Sequence, residues 1–192
     1  MKQKHLLKQL SAADFVTLTA TFLIIVSLWL LWNEQIYLAV SIAFISMFLD
    51  YLDGTIARKF GGSEYGKVLD SLYDVVGFVI FPSLVIISQT GWAWWSLIVS
   101  ALFHLSAVLR LARFTSQGYV ETKKLYYIGL PVLFSKYALL SAFVLEAKIA
   151  VLVLAVMVPL MVSSRPIKKP HPLFAYLNIV YAFAFIGLYL NR

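Results

Sequence analysis

The run Asp50-Tyr51-Leu52-Asp53-Gly54-Thr55-Ile56-Ala57-Arg58 is followed, seven residues later, by Gly66-Lys67-Val68-Leu69-Asp70-Ser71-Leu72-Tyr73-Asp74. The two runs hold four of the chain's nine acidic residues, yet they lie at the adjoining ends of long apolar stretches. Ionisable groups within hydrophobic segments are costly and mark function. Asp50, Asp53, Gly54, Ala57 and Arg58 fall at offsets of 0, 3, 4, 7 and 8, the spacing of one helical face. Gly66, Asp70 and Asp74, at offsets of 0, 4 and 8, form a second such face. Gly61-Gly62-Ser63 supplies a turn between them, so the faces can oppose each other and bring four carboxylates together at a membrane boundary.

The rest of the chain agrees with that setting. Of 192 residues, 61% are hydrophobic and 13% charged, where soluble domains carry about 25% charged residues. The absence of cysteine excludes disulfides and thiolate metal sites. Apolar stretches near the length of a membrane span, about 20 residues, run over 13–32, 35–57, 67–88, 92–114, 127–146, 148–163 and 172–190. The expected fold is all-α: a polytopic integral membrane bundle of about six to seven transmembrane helices, forming a single domain over 1–192. The run from Phe15 is too long for a signal-peptide core and reads as a retained first span. Tight breaks at Asn33-Glu34, Thr90-Gly91 and Glu146-Ala147-Lys148 predict antiparallel neighbours, and Pro159 is expected to kink the sixth stretch.

Charge orients the bundle. Lys2, Lys4 and Lys8, then Arg58, Lys59 and Lys67, then Arg110, Arg113, Lys123 and Lys124, then Arg165, Lys168 and Lys169 occupy alternate connections. By the positive-inside rule these face the cytoplasm. The net charge of +7 is then one-sided, and anionic headgroups and phosphorylated substrates explain it better than nucleic acid. Residues 1–11 read as an amphipathic segment lying on the inner leaflet. Trp29, Trp32, Trp92, Trp94 and Trp95 mark the outer interface as an aromatic belt. His104 reads as a hydrogen-bonded interior residue.

Four carboxylates cannot share such a place uncompensated. Bases neutralise them, or some are protonated, or metal ions lie between them. Oxygen ligands without cysteine or clustered histidine suit Mg²⁺, Mn²⁺ or Ca²⁺, and two ions about 4 Å apart form a clamp for displacement at phosphorus. Gly54 and Gly66 would let a ligand approach the backbone, and Arg58 could fork onto a phosphate. A structural ion-pair network, a cation-channel ring and a divalent-cation transporter are the other readings of the same residues.

The spacing Asp-x-x-Asp-Gly-x-x-Ala-Arg-x7-Gly-x-x-x-Asp-x-x-x-Asp resembles the signature of the CDP-alcohol phosphotransferases, with every fixed position present. That resemblance implies an integral membrane enzyme that transfers a phosphatidyl-type group from a CDP-linked lipid to an alcohol and releases CMP. Carried over by position, it implies that Asp50, Asp53, Asp70 and Asp74 hold two Mg²⁺ or Mn²⁺ ions, with Asp74 also the general base. Gly54, Ala57, Arg58 and Gly66, with Thr17, would form the nucleotide and CDP-lipid pocket. It also implies a homodimer, in the cell inner membrane, with the site facing the cytoplasm.

Three further segments are similar to the membrane-embedded phosphatidylserine synthases: Leu109-Arg110-Leu111-Ala112-Arg113-Phe114, Tyr127-Ile128-Gly129-Leu130-Pro131 and Leu160-Met161-Val162-Ser163. The implied reaction is CDP-diacylglycerol plus L-serine giving phosphatidylserine and CMP. Glycerol 3-phosphate and an inositol phosphate are the other acceptors. Arg110, Arg113 and Lys136 are the expected acceptor- or phosphate-binding residues. Thr115, Val132 to Lys136, and Asp14 ahead of Thr17 depart from the residues those synthases usually carry.

Overall fold

The computed structural model describes residues 9–117, 120–121 and 125–191. Lys2, Lys4, Lys8, Lys123 and Lys124, and most of the expected surface segment 1–11, lie outside these residues. The chain divides into two compact units: one runs to Tyr73 and resumes at Pro172, and the other is Asp74–His171.

The first unit begins with α1 (Ala12–Trp32), α2 (Ile36–Phe60) and most of α3 (Gly66–Asp74). Helix α1 starts where a capping box forms. The Ser11 hydroxyl accepts from the Asp14 amide while the Asp14 side chain accepts from the Ser11 amide. Helix α2 ends with Arg58 and Lys59 in its last turn, favourably placed for the helix dipole. Gly61 stops it at φ +90°, a conformation side chains rarely adopt. Ala13, Ala20, Ala39 and Ala43 are buried, and such small residues let membrane helices approach closely. The Ser46 hydroxyl donates to the Ala20 carbonyl at 2.7 Å and lies 2.8 Å from the Tyr73 hydroxyl, tying α1, α2 and α3 together. The final helix, α8 (Leu173–Leu190), packs on α2 through rings. Phe44 meets Tyr181 and Phe185, and Tyr176 meets Phe48 and Tyr51, with centroids 5.2–6.0 Å apart.

The second unit takes over at Asp74. The next six residues, Val75–Ile80, are π-helical and lead into α4 (Phe81–Gln89). π-Helical turns leave a carbonyl poorly served by the helix, and here the buried Ser135 hydroxyl donates to the Phe78 carbonyl. Helix α5 (Trp94–Gln117) follows, then strands β1 (Val120–Glu121) and β2 (Leu125–Ile128). A 3₁₀ turn, Val132–Phe134, opens α6 (Ser135–Val144). Helix α7 (Ala147–Val162) and strand β3 (Pro166–Lys168) complete the unit. Helix α7 continues through Pro159.

Among the described residues, five helices are long and apolar enough to cross a membrane: Ala12–Trp32, Ile36–Phe60, Gly66–Gln89, Trp94–Ser116 and Leu173–Leu190. Two more, Val132–Val144 and Ala147–Val162, are apolar and shorter. The protein is therefore all-α, polytopic and integral to the membrane. The 16 residues of α7 span roughly 24 Å at 1.5 Å each, less than a hydrocarbon core of about 30 Å.

The stretch expected to be helical over 127–146 needs correction at its start. Tyr126, Tyr127 and Ile128 pair antiparallel with Lys168, Ile167 and Pro166. Gly129 then turns at φ +74°, its amide donating to the Arg165 carbonyl at 3.0 Å. Pro131 has no amide hydrogen to continue a helix backwards, so the helical path begins at Val132. Of the tryptophans expected to form a belt, Trp29, Trp32, Trp92 and Trp94 are exposed and Trp95 is half-buried. His104 is hydrogen-bonded, its Nδ1 2.6 Å from the Ser100 carbonyl oxygen.

Candidate active site

Three of the four signature carboxylates meet. Asp50 and Asp53 on α2 and Asp70 on α3 each offer an oxygen, and these oxygens all lie within 4.8 Å of one another. The helical periods decide this. Residues three apart on α2 project from one face, and the 61–65 connection turns α3 back so that Asp70 meets that face. Asp53 is buried, whereas Asp50 and Asp70 are half-buried. Thr17, from the second turn of α1 and itself buried, donates its hydroxyl to Asp53 Oδ2. It also bonds the Ala13 carbonyl at 3.2 Å, which fixes its rotamer. Thr17 thus orients one of the acidic residues directly.

Asp14, one turn before Thr17, is 1% exposed. Its Oδ2 accepts from the Ser11 amide at 2.5 Å and the Ser11 hydroxyl at 2.8 Å. Its Oδ1 has no hydrogen-bond partner among the described residues. A Cβ placed on Gly66 would lie 3.2 Å from that oxygen. The amide of Gly66 and that of Tyr65 both bond the Ser63 hydroxyl, at 3.1 and 3.0 Å. The Tyr65 hydroxyl reaches Gln9 at 3.1 Å. Sequence reasoning noticed Asp14 only as a departure from related chains. Nothing in the local pattern indicates that the first turn of α1 reaches the start of α3.

Gly54 has a different neighbour. A Cβ there would meet Arg58 Nη1 at 3.4 Å, an ordinary contact with the flexible end of a side chain. Arg58 is exposed, and its Nη2 donates to the Thr55 hydroxyl at 3.0 Å. Ala57, half-buried, lies one residue before it.

The remaining expected residues belong to the second unit. Asp74, half-buried, closes α3 four residues after Asp70. Arg110, near the end of α5, is buried, with its guanidinium 5.1 Å from the centroid of Phe114 and 5.4 Å from that of Tyr127. Aromatic faces suit guanidinium, which is more weakly hydrated than ammonium. Arg113 donates from Nη1 to the Ser163 carbonyl and from Nη2 to the Val162 carbonyl, both at 3.2 Å. It therefore caps the C-terminus of α7, where backbone carbonyls lack helical partners. Lys136, in the first turn of α6, is 2% exposed, with Nζ 5.5 Å from the Tyr137 ring centroid.

A family model described as CDP-alcohol phosphatidyltransferase matches residues 10–187, which takes in the aspartates and both units. The chain belongs to the CDP-alcohol phosphatidyltransferase family. This family member is 31% identical over 147 residues to a CDP-diacylglycerol–serine O-phosphatidyltransferase of Methanocaldococcus jannaschii, covering 73% of this chain and 69% of that one. It is 34% identical over 123 residues to the protein of the same name from Helicobacter pylori, 62% of this chain and 51% of that one. An archaetidylserine synthase of Methanothermobacter thermautotrophicus matches at 34% over 131 residues, 62% and 53% of the two chains. The match thus spans about half the length of the last two relatives.

The donor set of this phosphatidyltransferase-family site fits a divalent metal. Three carboxylates within reach of one ion, without sulfur or imidazole, are the hard ligands that Mg²⁺ and Mn²⁺ prefer.

Proposed function

We propose that this chain transfers a phosphatidyl group from CDP-diacylglycerol to the hydroxyl of L-serine, giving phosphatidylserine and CMP. The convergence of Asp50, Asp53 and Asp70 oxygens within 4.8 Å carries the reading. The three named relatives support serine as the acceptor, since each name refers to a serine phospholipid or to transfer onto serine. In this reading Asp50, Asp53, Asp70 and Asp74 hold two Mg²⁺ or Mn²⁺ ions. Bound there, the ions would offset the charge of the pyrophosphate and of the departing CMP.

The chain's own residues do the rest. Thr17 keeps Asp53 turned toward the cluster. Arg58, exposed at the end of α2, offers a planar fork to a phosphate. Gly54 and Ala57 leave room for the nucleotide on the same helical face. Asp74 accepts the proton of the serine hydroxyl as the new bond to phosphorus forms. Arg110 and Lys136 bind the acceptor carboxylate or the lipid phosphate, while Arg113, engaged by the carbonyls that end α7, supports the fold. All 192 residues act as one catalytic domain, with the N-terminus and the site on the cytoplasmic side of the cell inner membrane, in a homodimer.

The test is CMP release by the purified protein with CDP-diacylglycerol and Mg²⁺ or Mn²⁺. L-serine, glycerol 3-phosphate and inositol phosphate are compared as acceptors, with Asp74→Asn alongside. Serine-dependent release, lost in the variant, is expected. Release with another acceptor alone would discard serine and keep the class. Because the chain has no cysteine, single cysteines at Ser116 and Asn33 can be labelled from either side of sealed vesicles. Cytoplasmic labelling is expected at position 116 and not at 33. Crosslinking in native membranes tests the dimer, and a purely monomeric band would overturn it.

A further inference from the structure

Glycine is needed in a helix for three physical reasons: a positive φ, close approach of a ligand, or close approach of the chain itself. At Gly66 the first is absent. Gly66 opens α3, and its backbone lies outside the positive-φ region occupied by Gly61, Gly91 and Gly129. The third is present. The nearest group to a Cβ at this position is Asp14 Oδ1, at 3.2 Å, with Ser63 Oγ next at 4.0 Å. A contact of 3.2 Å is relieved only if the neighbour yields. Asp14 cannot yield easily: it is 1% exposed, and its other oxygen is held at 2.5 and 2.8 Å by Ser11. Gly54 makes the contrast, because its neighbour is the mobile end of Arg58 at 3.4 Å.

We propose that Asp14 is a positioning residue for the carboxylate cluster, and that Gly66 is glycine in order to seat Asp14 Oδ1. The Ser11 cap locks the carboxylate to the first turn of α1. Oδ1 then rests against the first residue of α3, setting the register of that helix against α1. Asp70 lies one turn further along α3, and Thr17, one turn along α1, holds Asp53. The Asp14–Gly66 contact thereby fixes the distance between the two arms of the cluster. The inference rests on the reading of Asp50, Asp53 and Asp70 as a metal site.

The test is a double-mutant cycle read by Mn²⁺ affinity, from the electron paramagnetic resonance of free Mn²⁺, and by CMP affinity in equilibrium dialysis. The proteins are wild type, Gly66→Ala, Asp14→Ala and Gly66→Ala/Asp14→Ala. Asp14→Ala retains the Ser11 hydroxyl on the residue-14 amide, so half of the cap survives. Gly66→Ala and Asp14→Ala are each expected to weaken Mn²⁺ binding roughly ten-fold or more, the scale of a misfitted contact, and the double variant to bind no worse than Asp14→Ala. A Gly66→Ala protein that does not fold, beside a double variant that folds and binds Mn²⁺, supports the same conclusion. Additive losses in the double variant would overturn it, as would wild-type Mn²⁺ affinity in Gly66→Ala or in Asp14→Ala. Failure of the double variant to fold would also overturn it. Loss of CMP affinity alone in Gly66→Ala, unrelieved by Asp14→Ala, would assign the glycine to the nucleotide instead. A wild-type protein that binds no Mn²⁺ would remove the metal-site reading itself, a result separable from all of these.

Discussion

In the first unit a buried carboxylate, Asp53, is oriented by a hydroxyl, that of Thr17. In the second unit a guanidinium, Arg113, is oriented by two backbone carbonyls at the end of α7. The two arrangements use charge in opposite ways. A hydroxyl steadies a carboxylate with one hydrogen bond and leaves its charge, and its other oxygen, available to a cation. Two carbonyls at a helix terminus engage both ends of the guanidinium fork and turn it toward the fold. Arg110 stands between these cases, buried against Phe114 and Tyr127. In the proposed reading the acidic end of the first unit holds a cation from outside the chain, whereas Arg113 helps to hold the chain itself.

The largest effect that could break this contrast is expected at the cluster. Asp53→Asn removes one charge at nearly constant shape, and CMP release should fall by roughly 10³-fold or more, as when a group that stabilises transition-state charge is lost. An active Asp53→Asn protein would mean that the cluster does not carry the reaction. Next is Gly129→Ala in the second unit. The glycine sits at φ +74°, and a Cβ there would run into the Met161 carbonyl and lie 3.1 Å from that of Ser163. A loss of about 3 kcal/mol in thermal or denaturant stability is expected. Unchanged stability would show that the β2–β3 corner contributes little.

Thr17→Val sharpens the comparison on the acidic side. Letting Asp53 turn away from the cluster should lower kcat/KM roughly 30-fold, the larger readout beside the stability lost with one buried hydrogen bond. A fall in stability without a fall in kcat/KM would make Thr17 a packing residue. Arg113→Ala is expected to do the reverse: about 1–2 kcal/mol of stability lost from an uncapped α7, with the KM for serine nearly constant. A ten-fold rise in that KM at constant stability would assign Arg113 to the acceptor and dissolve the contrast. The smallest effect belongs to Ser11→Ala, where loss of an N-cap costs about 1 kcal/mol, read as a modest drop in melting temperature.

Much of this was legible from residue order alone. Among the described residues, the five long apolar helices fall within a few residues of the stretches read at 13–32, 35–57, 67–88, 92–114 and 172–190. Membrane insertion depends on the summed hydropathy of a contiguous window, a local property. The acid cluster was legible for a related reason. Helical period places Asp50 and Asp53 on one face, and a short turn limits where Asp70 can go. The small sheet was not legible. Tyr126, Tyr127 and Ile128 look like the start of a span, and their partners at 166–168 lie some 40 residues away. Strand pairing is a non-local choice that an apolar run does not announce. The π-helical Val75–Ile80 segment likewise has no mark in its residues, and the Ser135 hydroxyl that serves it comes from another helix.

By itself, then, the sequence determined that this protein is a helical membrane protein with a carboxylate site of a known family, because hydropathy and helical period act over neighbouring residues. Only the tertiary structure decided which distant side chains meet. Thr17 reaches Asp53 across 36 positions, Asp14 meets Gly66 across more than 50, and Arg113 finds the end of α7. Those contacts arise where packed helices bring distant turns together, so no window along the chain contains them.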